Sequence, residues 1–184
     1  MQRLQGGRDA ALNDLMDRHA AKVFHFLCRM TGNEDDASDL AQETFVRVFK
    51  SVNSYRTEQK FTTWLYTIAA NLARNHHRWR SRHATVSLEA EGPDDGPSLG
   101  ERLPAPAPPP AEEMQQTERH HAVRQAVASL PDELREAVVL CEWDELAVAE
   151  AAAVLKTTPK TVESRLYRAR RELRKRLAHW LAHE

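Results

Sequence analysis

AVAEAAAVLKTTPKTVESRLYRARRELRKRL, residues 147–177, reads as a short alanine-rich helix, a tight polar turn and a longer helix. The turn is Lys156, Thr157, Thr158 and Pro159. A threonine oxygen accepts from the unpaired N–H groups of a helix's first turn, and proline suits the first helical position. Thr158 is therefore the expected N-cap, and Pro159 the expected first helical residue. Beyond them Val162, Leu166, Ala169, Leu173, Leu177 and Trp180 recur at helical spacing, which sets them on the core face of a helix running to about Leu181. Between Glu163 and Arg176 the outward face carries Arg165, Arg168, Arg170, Arg171, Arg174, Lys175 and Arg176 against only Glu163 and Glu172. Short helix, tight turn and long helix make the helix-turn-helix arrangement, whose second helix can lie in a DNA major groove. A basic amphipathic helix alone is weak evidence. Behind a capped turn and a short apolar helix, it points to DNA.

Upstream, Val123, Ala126, Val127 and Leu130 form one apolar stripe, and Leu134, Val138 and Cys141 form another in a helix opened by Pro131. Residues 119–184 thus read as one small helical domain. Before it the character of the chain changes. Seven of the nine prolines fall between Pro93 and Pro110, among Gly92, Gly96 and Gly100 and few large apolar residues. Such a segment cannot recover its ordering entropy by burial, so residues 84–118 are expected to be a flexible linker, tending to polyproline II at 104–110.

Residues 1–83 carry three further helical patterns. Leu12, Leu15, Met16, Val23, Leu27 and Met30 keep one face, with Gly32 as terminator. Ala37, Leu40, Ala41, Phe45, Val48 and Phe49 make the next face, and Glu34, Asp35, Asp36 and Asp39 sit in or near its first turn, where carboxylates suit the helix dipole. After a polar loop, Phe61, Trp64, Leu65, Ile68 and Leu72 mark a third helix, which ends in RNHHRWRSRH at 74–83. Arginines around Trp79, with no acid among them, resemble a nucleic-acid surface, because bases stack on aromatic rings and cations hold phosphates. A solvated helix end whose cations favour the C-terminal dipole is the plainer alternative. The fold class expected is all-α, two small helical domains joined by a linker.

A formal charge of −1 conceals a partition. Lys plus Arg against Asp plus Glu is 13 to 9 over residues 1–83, 1 to 8 over 84–118 and 12 to 10 over 119–184, so two basic ends flank an acidic middle. Cys28 and Cys141 stand far apart and read as small hydrophobes, neither a disulfide framework nor a zinc motif. The histidines lack metal-ligand spacing; in the pairs 76–77 and 120–121, adjacent helical side chains point about 100° apart and do not converge on one ion. No glycine-rich phosphate loop is visible, and no apolar run approaches the ~20 residues that span a bilayer. The expected protein is cytoplasmic, not an enzyme, and holds no metal or cofactor.

Four ordered stretches resemble one family. DASDLAQETFVRVF from Asp36, FTTWLYTIAANLARNHHRWR from Phe61, SLPDELREAVVL from Ser129 and TVESRLYRARRELRKRL from Thr161 are similar to the extracytoplasmic-function (ECF) group of RNA polymerase sigma factors, in the sigma-70 family. The resemblance covers nearly the whole chain. It implies a region 2-like domain at 1–83, a variable tether at 84–118 and a region 4-like helix-turn-helix domain at 119–184. It also implies promoter-specific initiation, with core RNA polymerase and promoter DNA as partners and an anti-sigma factor as a further one, without membrane insertion. By the same analogy Asp39, Gln42, Glu43 and Arg47 face the large polymerase subunit. Tyr55, Lys60, Asn71, Arg74, Asn75 and Arg78 would melt and read the minus-ten element. Glu163, Ser164, Tyr167 and Arg168 would read the bases of the minus-thirty-five element, while Lys160, Arg165 and Arg171 hold its phosphates.

The chain departs from its relatives at four points. Glu145 and Lys156 stand where the family commonly has glycine, Ala147 replaces the usual serine cap, and Glu163 replaces a common basic residue. A side chain at a left-handed position costs roughly 1 kcal/mol, so altered minus-thirty-five preference and a less stable second domain are expected. Two other readings remain open: a stand-alone regulator that binds duplex DNA unaided, and an interaction module serving mainly an anti-sigma factor.

Overall fold

A computed structural model describes residues 1–83 and 111–181, with the side chains of 1–83 and 118–180. The described residues contain helices and turns and no strand. The first module is built from α1 (Gln2–Gln5), α2 (Ala10–Thr31), α3 (Glu34–Lys50) and α4 (Phe61–Arg82). The second is built from α5 (Ala111–Ala128), α6 (Asp132–Val138), α7 (Val148–Leu155), α8 (Pro159–Arg176) and α9 (Ala178–Leu181). Most of the expected linker, residues 84–110, lies outside the described residues; its last part is helical, because α5 begins at Ala111.

The helix ends follow local chemistry. Gly32 closes α2 with φ 71°, its N–H donating to the Cys28 carbonyl, a left-handed cap that glycine adopts without a Cβ penalty. The Asn33 side chain accepts from the Asp36 N–H at 2.9 Å, so α3 starts one residue later, with Glu34, Asp35 and Asp36 in its first turn. Short α1 has no counterpart in the sequence reading: its Leu4 is buried, and Gln5 Nε2 donates to the carbonyls of Val52 and Tyr55 at 3.2 and 3.0 Å. It pins the loop that leads into α4.

Val23, Leu27, Met30, Ala37, Phe45, Val48 and Leu65 are buried as their spacing predicts, joined by Phe26, which the pattern passed over. Met16 and Phe49 do not follow it. Their side chains are 37% and 43% exposed, because the packed stripes of α2 and α3 are narrower than the full apolar run in each helix.

One buried cluster runs through both modules. Besides its expected stripe, α4 buries Tyr66, Ala69, Ala70 and Ala73. These recur at three- and four-residue spacing on another side, and α7, with Ala151, Ala152, Val154 and Leu155 buried, packs against α4. The two small helical domains keep their own helices, and buried residues of both join in one cluster. The second stripe escaped notice because it is mostly alanine, too small to stand out in a hydropathy pattern.

Candidate nucleic-acid interface

Helix α8 starts as its sequence dictates. Thr158 Oγ1 accepts from the Thr161 N–H at 3.2 Å, Pro159 occupies the first turn, and Val162, Leu166 and Ala169 are buried. Arg174, Lys175 and Arg176 sit in the last turn, where cations suit the dipole. The helix ends at Arg176, capped by Leu177, rather than at Leu181, and Ala178–Leu181 resumes as α9. Trp180 is correspondingly only half-buried.

Lys160, Glu163, Ser164, Tyr167, Arg168 and Arg171 are all exposed, Tyr167 at 69%. Their spacing sets them along one stripe, with Tyr167 near its middle. Arg165 leaves that stripe. Its side chain is 19% exposed, and its Nη2 donates to Glu133 Oε2 of α6 at 2.9 Å. In this conformation it ties α8 to α6 instead of facing a phosphate.

Three of the four departures flank α7, Glu145 and Ala147 before it and Lys156 after it, and the fourth, Glu163, lies on α8. Glu145 has φ 55° and Lys156 φ 52°, left-handed values that glycine adopts more readily. Ala147 has no side-chain oxygen, so only half of a capping box survives at α7: Glu150 Oε2 accepts from the Ala147 N–H at 3.1 Å.

On α4, Asn71, Arg74, Asn75 and Arg78 line one stripe. Asn71 Oδ1 accepts from Arg74 Nη1 at 3.0 Å and Asn75 Oδ1 from Arg78 Nη2 at 2.7 Å, so each amide orients a guanidinium. Asn75 and Arg78 are exposed, and Trp79, 58% exposed, stacks on His83 at 4.9 Å. Arg74 turns inward: its Nε donates to Glu136 Oε1 at 2.6 Å, and Glu136 is 5% exposed. Burial pushes the Glu136 carboxyl up, opposed by the Arg74 guanidinium. Lys60 is exposed and lies 2.6 Å from Glu150.

Tyr55 does not join this surface. It is 9% exposed, its ring packs 5.1 Å from Trp64 and 6.3 Å from Phe61, and its hydroxyl donates to the Gln59 carbonyl at 2.6 Å. An amphipathic ring in a loop folds onto the nearest apolar surface once its hydroxyl has a partner. Glu136 was missed because its partner lies 62 positions away in sequence, beyond any local pattern.

The α3 face gathers Asp39, Gln42 and Arg47, all exposed, with Glu43 half-exposed and bonded to Arg47 Nε at 2.7 Å. Val46 is 42% exposed and Phe49 43%, so apolar surface flanks these charges. Among the described residues no group of three or more His, Cys, Asp or Glu side chains is placed to hold a metal ion. Cys28 and Cys141 are free, and burial pushes both thiols up. No described helix is long and apolar enough to cross a membrane.

A bundle ending in a cationic helix, followed by a helix-turn-helix module with an open basic stripe, is the architecture of sigma-70 proteins. The Sigma-70 region 2 family matches residues 15–83, and the Sigma-70, region 4 family matches residues 120–173. The chain is 31% identical over 177 residues to the ECF RNA polymerase sigma factor SigW of Bacillus subtilis, covering 96% of this chain and 94% of SigW. It is 34% identical over 174 residues to the ECF RNA polymerase sigma-E factor of Escherichia coli, covering 92% and 88%. Its fold matches that of the sigma factor RpoE in the co-crystal structure with the anti-sigma factor NepR from Bartonella quintana, at a TM-score of 0.68 and 23% identity over 90% of this chain and 96% of that one. The chain belongs to the ECF RNA polymerase sigma factors of the sigma-70 family, and its activity is promoter-specific initiation of transcription.

Proposed function

We propose that the chain docks on core RNA polymerase through Asp39, Gln42, Glu43 and Arg47 of α3, reads the minus-ten element through Lys60, Asn71, Arg74, Asn75 and Arg78, and reads the minus-thirty-five element through α8. The observation that carries this reading is the pair of separate cationic stripes, one on each module. On α8, Arg168 suits guanine edges, Glu163 can accept from a cytosine amino group, and Lys160 and Arg171 suit phosphates. On α4, guanidinium groups held by asparagine amides offer donors to phosphates and base edges, and Trp79 adds a ring for stacking. No catalytic centre belongs to this activity, which acts where polymerase acts, in the cytoplasm. An anti-sigma factor is a further partner; RpoE, whose fold the chain shares, is bound to one.

A net charge of −1 gives the free chain little overall attraction to DNA. The expected outcome in fluorescence anisotropy is weak binding of promoter duplex by the chain alone and tight, sequence-selective binding once core polymerase is added. Equal affinity and selectivity without polymerase would contradict the proposal and favour a stand-alone regulator.

A further inference from the structure

Helix α1 is four residues long, too short to persist without packing. It is held in two ways. Leu4, 3% exposed, joins Ala11 and Leu15 of α2 in a second, smaller apolar cluster, with Val52 and Phe61 packed against them. The half-buried Gln5 side chain makes the other attachment, turning both N–H donors of its amide toward one loop. Its Nε2 donates to the carbonyls of Val52 at 3.2 Å and Tyr55 at 3.0 Å, 47 and 50 positions downstream. Those two carbonyls bracket the 3-10 turn Val52–Ser54.

Residues 51–60 connect α3 to α4. A polar connection of this length has many backbone conformations open to it unless something ties it down. Here the first half is tied and the second half is open. Gln5 fixes Val52 and Tyr55, the Tyr55 ring packs 5.1 Å from Trp64, and the Tyr55 hydroxyl donates to the Gln59 carbonyl at 2.6 Å. Arg56, Thr57, Glu58, Gln59 and Lys60 are all exposed. The open half therefore leaves a fixed point and runs into α4, the helix whose open side carries Asn75 and Arg78. Polar groups select a ligand only from defined positions, and an untied loop would spread these five residues over many.

We infer that Gln5 is a positioning residue for recognition of the minus-ten element: acting through the carbonyls of Val52 and Tyr55, its amide holds the loop 56–60, with Lys60 at its end, where a promoter strand meets it. The recognition part rests on the minus-ten reading above; the tether itself does not. Gln5 lies outside the residues assigned to polymerase and to DNA, so it can be changed without touching either.

The variant Gln5→Met keeps the length of the side chain and removes both donors. Its helical circular dichroism spectrum is expected to match wild type. Hydrogen–deuterium exchange followed by mass spectrometry is expected to show the amides of residues 52–59 exchanging roughly tenfold faster, with those of α4 unchanged. Holoenzyme reconstituted with core polymerase is then assayed by run-off transcription from two promoter libraries, one randomised over the minus-ten element and one over the minus-thirty-five element. Gln5→Met is expected to lose roughly tenfold in base preference over the first. Its preference over the second, and its pull-down of core polymerase, are expected to match wild type, a split that general destabilisation does not produce. Arg78→Ala is the control on the minus-ten reading. Equal loop exchange in wild type and Gln5→Met overturns the tether. Faster exchange with full minus-ten preference, while Arg78→Ala loses it, overturns the positioning role, as does a parallel loss over both libraries. If Arg78→Ala also keeps full preference, the minus-ten reading falls and takes the positioning role with it, and the tether stands on exchange.

Discussion

Glu145 and Lys156 hold left-handed backbone on either side of α7, with φ 55° and 52°. Each Cβ crowds its own backbone there, at a cost glycine avoids. Replacing either by glycine is expected to stabilise the second module by about 0.5–1 kcal/mol, part of the relief being offset by the greater freedom of glycine in the unfolded chain. Urea midpoints check this; an unchanged or lower midpoint for both variants contradicts it. Asp144 offers a second test. Burial pushes its carboxyl from 3.8 up to about 6, although Tyr66 and the charges of Arg29 and Lys22 pull it down. A carboxyl raised in the folded state supports folding fully below its unfolded value, and that support is lost as pH rises through the folded value. Asp144→Asn keeps an acceptor for Tyr66 and abolishes the titration. Its stability relative to wild type is therefore expected to rise by about 2–3 kcal/mol between pH 4 and pH 6 and then level off. Urea unfolding across that range checks it, and a pH-independent difference contradicts it.

At the scale of the element, α3 is assigned to polymerase because its outward face combines charges with exposed Val46 and Phe49. The Glu43–Arg47 pair is itself exposed, and such pairs contribute only about 0–1 kcal/mol, so its loss leaves the fold standing. Glu43→Lys is expected to abolish pull-down of core polymerase while leaving the helical circular dichroism spectrum unchanged. A normal pull-down removes this face from the account. Helix α8 was the most legible element, since a threonine cap, a first-turn proline and three- and four-residue spacing all agree on it. The end of α4 was legible as a basic surface, but which of its arginines stay open was not. Arg78 faces solvent and Arg74 does not, a difference made by Glu136 on another module. Tyr55 and Phe49 exchanged their expected places for a similar reason. Whether a ring at a helix edge or in a loop is covered depends on neighbours distant in sequence: Trp64 packs on Tyr55, whereas Phe49 stays 43% exposed.

Across the whole molecule, the sequence carries the all-helical class and the helix-turn-helix, because both are written in local spacing and capping. The contact between modules is not written there. It depends on pairs such as Tyr66 with Asp144, 78 positions apart, and on an alanine stripe with no hydropathy contrast. Functionally, one chain presents two cationic stripes while its near-zero net charge limits binding outside an assembly. That arrangement suits a specificity subunit, whose grip on DNA depends on the enzyme it docks on. Run-off transcription with purified chain, core polymerase and a promoter library tests this most directly. The account predicts a discrete set of transcripts, absent without the chain and lost with Glu43→Lys. Transcription no more selective than that of core polymerase alone, across every library tried, would contradict it.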